Sequence, residues 1–559
     1  MEEGKPPRLK QVRRENMVSV LLGFALALFL TTIVLPLCLR YSRQLGLIDA
    51  PSSDRKVHLE AIPRSGGVAI VIGTLVAASW WMPFDSTYLP LFAAIGVVVL
   101  TGYLDDRFDL RGRQKLAGQT IAALLLVYAY AGFTQVPFLP MDSAPSWLLM
   151  GWTLLFLVGV TNAVNLSDGL DGLAAGNTLL ALVFLAVLGM ESNASALTVL
   201  ALALSGGLLG FLRFNTHPAR LFMGDTGSQF LGFTAAAVTV LLMQQEAMPV
   251  SPLLPLLIFG LPILDTVSVM VIRWARGRPV FKADHSHLHH QLLRIGFKHY
   301  EVVAILYALQ AIILTLAYVL RYQADIILLL VYLAFCGAVF GAIVVARLGG
   351  LSIRAGGVAA IALKERRNTW LRQMSWYYEH TAKVLAAGAG LLFVGCALVV
   401  PPSDQLLGTV SLVTAGVLTI LWLFYRRAPE AITRLVAFAA TAFALYGLLM
   451  TPDVATEWTL GLDLYLTILV VLLVLAIRMT RKAVFHLDTQ DFLVVFIVIL
   501  VPFLPLETFD SRLVAQVALR GIAVLYVCEY VVTKGNGSRL VLGVAAIMSL
   551  WITGLVSLG

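Results

Sequence analysis

Charge is scarce in this chain. Only 13% of its 559 residues are Asp, Glu, Lys or Arg, about half the share of a soluble domain, which excludes a water-soluble globular protein. Cysteine is scarce as well: Cys38, Cys336, Cys396 and Cys528 stand singly in or beside apolar segments, with no CxxC spacing. That excludes a disulfide framework and leaves the four as small buried hydrophobes. The apolar runs lack strict alternation of apolar and polar residues, so barrel strands are excluded too. Nor is any basic patch interleaved with aromatics. The net charge of +8 therefore points to topology and to anionic membrane lipids, and no nucleic-acid partner is expected.

What fills the chain is apolar. Hydrophobic residues make up 59% and mean hydropathy is +0.86. Runs of about 20 residues recur, long enough to cross a bilayer as helices. The expected fold class is an all-α polytopic membrane protein, with about eleven spans up to Arg347 and about seven more from Lys383. The first run, near Val18 to Leu39, is too long for a signal peptide and lacks a small-residue cleavage site, so it reads as a retained span. Three regions follow: a membrane core over residues 1–346, a polar linker over 347–382 and a membrane extension over 383–559. The linker holds Arg354, Lys364, Arg366, Arg367, Arg372 and Trp376-Tyr377-Tyr378, a composition suited to an amphipathic helix on the membrane surface.

Counted from the N-terminus, the loops after the first, third, fifth, seventh and ninth spans fall on one side, and nearly every polar motif lies in them. These loops are rich in Lys and Arg, whereas the opposite loops offer mainly Asp85, Asp142, Glu191 and Glu246. Positive-inside bias places the motif face in the cytoplasm. The basic N-terminal tail, Lys5 to Arg14, disagrees, and the summed bias of the loops outweighs it.

The fifth-span loop carries Asn162, Asn165, Asp168 and Asp171. An aspartate in a membrane helix is disfavoured by roughly 2.5 to 3.5 kcal/mol, so an acidic cluster among spans faces a wet site. If a helix begins here, a spacing of three puts both carboxylates on one face. The first loop holds Lys56, His58 and Arg64 before Gly66-Gly67. Cations and exposed backbone N–H groups suit phosphate, although topological anchoring accounts for the cations equally well. Asp105-Asp106 ends the third span beside Arg107, Arg111, Arg113 and Lys115, a pair able to share a divalent ion or orient a phosphate nucleophile. Lys115 opens the next helix, where the dipole disfavours a cation, and that favours a ligand contact.

After the seventh span come Asn215, Phe222 and a Gly-bracketed Asp225. Asp225 is a candidate ligand for a hard cation; Phe222 suits either stacking on a base or core packing. The ninth-span loop sets Arg278 and Lys282 before His285, His287, His289 and His290. With no cysteine near and no finger spacing, hydrogen bonding to a pyrophosphate fits better than zinc.

Together and in order, the RKxHxxxxPRxGG loop, DDRF, NxxNxxDGxDGLA, MGDxGS and HLHH motifs, spread over residues 17–345, resemble the polyprenyl-phosphate N-acetylhexosamine-1-phosphate transferase family. The PR-GG loop and HLHH form are closer to the branch that uses UDP-N-acetylglucosamine than to the peptidoglycan-precursor branch. The resemblance implies transfer of a sugar 1-phosphate from a UDP-N-acetylhexosamine to undecaprenyl or a similar polyprenyl phosphate, with release of UMP. This would be the first membrane step of a cell-surface glycan, at the cytoplasmic face of a bacterial inner membrane. It also implies Mg²⁺, replaceable by Mn²⁺, and a homodimer.

Carried over by motif position, Asp225 with Asp105 would hold the magnesium, and Asp105 and Asp106 would orient or deprotonate the lipid phosphate. Asn162, Asn165, Asp168 and Asp171 would floor the nucleotide-sugar site, the two aspartates as part of the catalytic set. Lys115 and Phe222 would meet the nucleotide. Arg278, His287, His289 and His290 would meet the pyrophosphate or sugar, and Lys56, His58, Arg64 and Asn215 complete the substrate contacts. The extension departs from the family pattern; its Glu529 and Arg520 are expected to pair with each other or to be buried between helices. Two other readings stand beside this one: a phospho-N-acetylmuramoyl-pentapeptide transferase and a lipid-linked-sugar flippase. Carboxylates at span ends on one face, rather than at the midplane, argue against transport.

Overall fold

A computed structural model describes residues 7–49, 62–82, 85–140, 143–245, 250–275, 277, 287–348, 375–399, 405–424, 429–450, 459–479, 511–534 and 536–558. Helices dominate, and ten are long and apolar enough to cross a membrane by length and composition. The chain is an all-α multi-pass membrane protein. It divides into two compact units, with a break after Arg354.

The first unit contains α1 (Pro7–Tyr41), α2 (Gly66–Trp81), α3 (Leu89–Phe108), α4 (Gly112–Tyr130), α5 (Ser146–Leu166), α6 (Leu173–Glu191), α7 (Ser195–Asn215) and α8 (Gly224–Met243). It continues with α9 (Leu254–Ile258), α10 (Gly260–Ala275), α11 (Leu288–Ile295), α12 (His299–Leu320) and α13 (Asp325–Leu348). A two-residue antiparallel pair, β1 (Ile48–Asp49) with β2 (Ile62–Pro63), closes the first loop. The apolar window of α8 is 94% buried against 28% for α1, so α8 is the axis of the unit, with α2, α3, α5, α6 and α7 packed on it.

The eleven expected runs all become helices, counting α9 and α10 as one, but eight meet the length and hydropathy of a span. Of the others, α2 has 16 residues, α4 opens on Arg113 and Lys115, and α9–α10 is broken at Phe259. Backbone groups freed at that break need partners inside a bundle. Gln310 Nε2 donates to Ile258 O at 2.9 Å and Tyr332 Oη to Gly260 O at 3.0 Å.

The second unit has six helices among the described residues: α14 (Ser375–Val399), α15 (Gln405–Phe424), α16 (Pro429–Met450), α17 (Thr459–Met479), α18 (Ser511–Lys534) and α19 (Asn536–Leu558). They enclose their own apolar core around Leu385, Phe393, Val436, Val531 and Leu542. Seven runs were expected; residues 480–510 lie outside the described residues, as do 349–374 of the linker. Glu529 and Arg520 do not pair with each other. They are two and a half turns apart on α18 and so face opposite ways. Arg434 grips Glu529 through Nε and Nη2, both at 2.7 Å, and Arg520 Nε donates to Asp463 Oδ1 at 2.8 Å.

Candidate active site

The five motif loops meet at one end of the first unit. The first loop lies against the lead-in to α8: Phe222 N donates to Pro63 O at 2.8 Å, and Gly66 N and Gly67 N donate to Phe222 O and Met223 O, each at 2.9 Å. These two N–H groups are therefore spent on the fold, which corrects the expectation that they cradle phosphate. Glycine is required at position 67 by close approach. A Cβ there would lie 2.6 Å from Gly227 Cα and closer still to Gly227 N and Met223 O.

The third-span carboxylates divide. Asp106 caps α8 from another helix: Oδ1 accepts from Asp225 N at 2.8 Å, and Oδ2 accepts from Thr226 N at 2.8 Å and from Thr226 Oγ1 at 2.5 Å. An anion is well placed at a helix N-terminus. With both oxygens engaged, Asp106 is a positioning residue for Asp225. Gly224 permits this, with φ +68° and an α-carbon so near that a Cβ would lie 2.6 Å from both Asp106 oxygens. Asp105, 3% exposed, accepts from Leu110 N through Oδ1 at 2.9 Å, and its Oδ2 meets Lys115 Nζ. The same Nζ lies 3.6 Å from Asp225 Oδ1. Asp105, Lys115 and Asp225 thus form one open cluster beside the start of α8.

Asp168 and Asp171 do not share a helical face. Their turn lies between the end of α5 at Leu166 and the start of α6 at Leu173, with Gly172 at φ +80°. Asp171 is buried: its Oδ2 accepts from Ala219 N at 3.1 Å and meets His217 Nδ1 at 2.8 Å. The His217 and His299 rings stack at 4.1 Å, and Asp171, His217 and His299 bring their polar atoms within 4.8 Å of one another. Asp168 is reached by solvent but crowded by protein. That crowding, then the charges of Asp225, Asp171 and Asp106, push its pKa up to about 7 against the pull of Arg64.

This shift has a consequence for the metal-free protein in EDTA. The folded state holds a proton that the unfolded chain releases near pH 4, so ionising Asp168 lowers stability progressively from about pH 4 to 7. Asp168→Asn removes that penalty. Its melting temperature is expected to exceed that of the parent by a margin that widens between about pH 5 and 7.5. A pH-independent margin would refute this assignment.

Asn215 is 2% exposed and bonded through both ends of its amide: Oδ1 accepts from Gly172 N and Nδ2 donates to Leu221 O, each at 2.9 Å. It ties the acidic turn to the lead-in of α8. Asn162 Nδ2 donates to Gln119 Oε1 at 2.6 Å and Asn165 Oδ1 accepts from Ser228 Oγ at 2.7 Å, so both link α5 to neighbouring helices. Phe222 and Arg64 are half-buried between the first loop and α8. Lys56, His58 and Arg278 lie outside the described residues.

The histidine run joins through a residue that sequence reasoning missed. Asp265 on α10 takes His287 Nδ1 at 2.9 Å and Leu288 N at 2.6 Å. A lone carboxylate in an apolar run was the available signal. His289, 2% exposed, packs against Gly169 of the acidic turn, while His290 stands beside it with ring centroids 4.2 Å apart. Burial, opposed by Asp265 and assisted by the neighbouring imidazoles, holds the His289 pKa down near 3. It is neutral at physiological pH and acts as a hydrogen-bonding group. Also missed were His217, His299, Thr226, Gln119 and Gln229. Gln119 Nε2 donates to Gln229 Oε1 at 3.2 Å between α4 and α8.

The cluster suits a hard divalent cation. Asp105, Asp106, Asp168 and Asp225 act on one another electrostatically, with Lys115 and Arg64 as the cations acting on them. Carboxylate oxygens in excess of cations are the donor set that Mg²⁺ takes.

Residues 88–243 match the family model described as Glycosyl transferase family 4. A probable undecaprenyl-phosphate N-acetylglucosaminyl 1-phosphate transferase of Bacillus subtilis is 35% identical over 312 residues, 55% of this chain and 86% of the relative. A phospho-N-acetylmuramoyl-pentapeptide-transferase of Geobacillus kaustophilus is 34% identical over 320 residues, 52% of this chain and 94% of that one. A decaprenyl-phosphate N-acetylglucosaminephosphotransferase of Mycobacterium tuberculosis is 34% identical over 303 residues, 47% and 73% of the two chains. With its motif loops assembled into one polar centre and such relatives matched along most of their length, the chain belongs to the polyprenyl-phosphate N-acetylhexosamine-1-phosphate transferase family.

Proposed function

We propose that this sugar-1-phosphate transferase moves N-acetylglucosamine 1-phosphate from UDP-N-acetylglucosamine to a polyprenyl phosphate in the presence of Mg²⁺. The products are polyprenyl-diphospho-N-acetylglucosamine and UMP. The carrying observation is the cluster of Asp225, Asp105 and Lys115 at the start of α8, at an end of the membrane helices where a lipid phosphate arrives. Choice of N-acetylglucosamine rests on the Bacillus and Mycobacterium relatives, whose names carry that sugar. The reaction opens lipid synthesis for a surface glycan, and the Lys- and Arg-rich motif loops favour the cytoplasmic face of the inner membrane.

A phosphate monoester has a second pKa near 6, so the lipid nucleophile is largely dianionic at pH 7 and needs little general-base help. The difficulty is bringing two anions together. An oxygen of the lipid phosphate attacks the sugar-bearing phosphorus, and the bond to the bridging oxygen breaks so that UMP leaves with it. Asp225 and Asp105 would hold Mg²⁺, which supplies charge neutralisation on the diphosphate. Lys115 Nζ lies against both carboxylates and would be placed to meet a phosphate oxygen beside them. Asp106 fixes the first turn of α8 and hence the position of Asp225. Neutral His289 and the Asp265-oriented His287 offer ring N–H groups to the diphosphate or sugar.

The test is UMP release by purified protein with polyprenyl phosphate, Mg²⁺ and UDP-N-acetylglucosamine, alongside UDP-N-acetylmuramoyl-pentapeptide. Release with the first donor alone, dependent on both lipid and metal, is expected. Release with the pentapeptide donor alone would reassign the substrate, and no release with any UDP-N-acetyl sugar would overturn the reading.

A further inference from the structure

Two histidines and an aspartate from three separate elements converge at the acidic turn. Asp171 comes from the turn between α5 and α6, His217 from the segment leading into α8, and His299 is the first residue of α12. One ligating atom of each lies within 4.8 Å of those of the other two. The set is partly preorganised. Ala219 N donates to Asp171 Oδ2 at 3.1 Å, which fixes the carboxylate, and His217 Nδ1 meets the same oxygen at 2.8 Å.

The donor types choose the ion. Two imidazoles with one carboxylate suit Zn²⁺, whereas Mg²⁺ takes oxygen ligands. Zinc bonds of about 2.0–2.2 Å set tetrahedral donors about 3.3 Å apart, so an entering ion replaces the His217–Asp171 hydrogen bond and draws the donors inward. The two rings stack 15° from parallel, so their lone pairs run nearly side by side and one ring has to tilt. His217 has the room for this: its side chain is 41% exposed, against 4% for Asp171. The same exposure turns the outer side of the site to water, the usual source of a fourth ligand where the protein supplies three.

We propose that Asp171, His217 and His299 form a Zn²⁺ site separate from the Asp225 cluster, and that the ion staples the acidic turn to the lead-in of α8 and to α12. Asp168 stands three residues from Asp171, and Asp225 eight residues from His217. The staple therefore bears on both loops of the candidate active site without using either residue as a ligand.

The experiment uses the tag-free full chain in detergent, stripped with EDTA and then held in excess Mg²⁺. Zn²⁺ is titrated by calorimetry and Co²⁺ by visible absorption. The parent should take up one Zn²⁺ per chain, melt at a higher temperature with it, and give Co²⁺ the intense bands of a tetrahedral site. His217→Gln and His299→Gln should each weaken Zn²⁺ uptake by about a hundredfold or more and remove the rise in melting temperature. Asp225→Asn and His290→Gln should leave Zn²⁺ uptake unchanged, since they alter the acidic cluster and the histidine run. Uptake that survives both His217→Gln and His299→Gln, or that is lost in Asp225→Asn or His290→Gln, would place the ion elsewhere and overturn the proposal. No uptake by the parent would overturn it as well and leave the three residues a hydrogen-bonded tie. Were neither histidine variant to fold, the Co²⁺ spectrum of the parent and of His290→Gln would decide, weak octahedral bands in the parent or bands lost in His290→Gln refuting the site.

Discussion

Asp225→Asn is expected to lower UMP release by about three orders of magnitude or more while leaving the helical fold and melting temperature nearly unchanged. The separation follows from how the residue is held. Its backbone N–H, not its side chain, makes the hydrogen bond to Asp106 that fixes the start of α8. The carboxylate faces the open cluster, 23% exposed and 3.6 Å from Lys115 Nζ. An isosteric amide preserves the backbone tie and removes one anionic oxygen donor from a centre whose charge excess attracts the metal. Mg²⁺ binding should weaken in parallel with turnover. Full activity in Asp225→Asn would remove this residue from the reaction, and loss of activity with collapse of the melting transition would make its role structural. Asp105→Asn separates a further alternative: turnover lost with lipid and metal binding intact would restore proton transfer as the role of that carboxylate.

The helices were legible because lipid demands it: runs of the right length without alternation have one way to satisfy their backbone. The parity of the motif loops was legible for the same reason, since an odd number of crossings returns the chain to one face. Less visible was which polar groups would be consumed by assembly. Gly66 and Gly67 look like phosphate-binding donors when only their own loop is in view, but their N–H groups pair with a segment more than 150 residues away. Asn215 and Asp106 show the same ambiguity, because a side chain that ties loops together and one that touches substrate have the same composition signature. Asp265 went unnoticed because its motif partner, His287, lies on a separate element, and the contact exists only after α10 and α11 meet. The second unit was legible as helices and no further: α18 carries Arg520 and Glu529 on opposite faces, and their partners come from α16 and α17.

Gly67→Ala should cause a large loss of stability from a single added methyl, several times that of the same change at an open position such as Gly159. The clash is with backbone: the new Cβ would meet Gly227 N and Cα and Met223 O, none of which has a rotamer to escape through. Overpacking of a tight contact commonly amounts to about 1–3 kcal/mol, and here relief requires either α2 or α8 to move. Either movement displaces the first turn of α8, so Asp225 leaves Lys115 and the Asp106 cap opens. Turnover should therefore fall about a hundredfold or more even in protein that still folds, because misplacement of about 1 Å has that effect on a preorganised site. Gly159→Ala is the control: on α5, its Cβ would meet nothing within 4 Å, and the change should stay within about 1 kcal/mol with activity retained. Similar melting temperatures and similar turnover for the two variants would mean that the first loop and the start of α8 are not the tightly joined pair on which the placement of Asp225 depends.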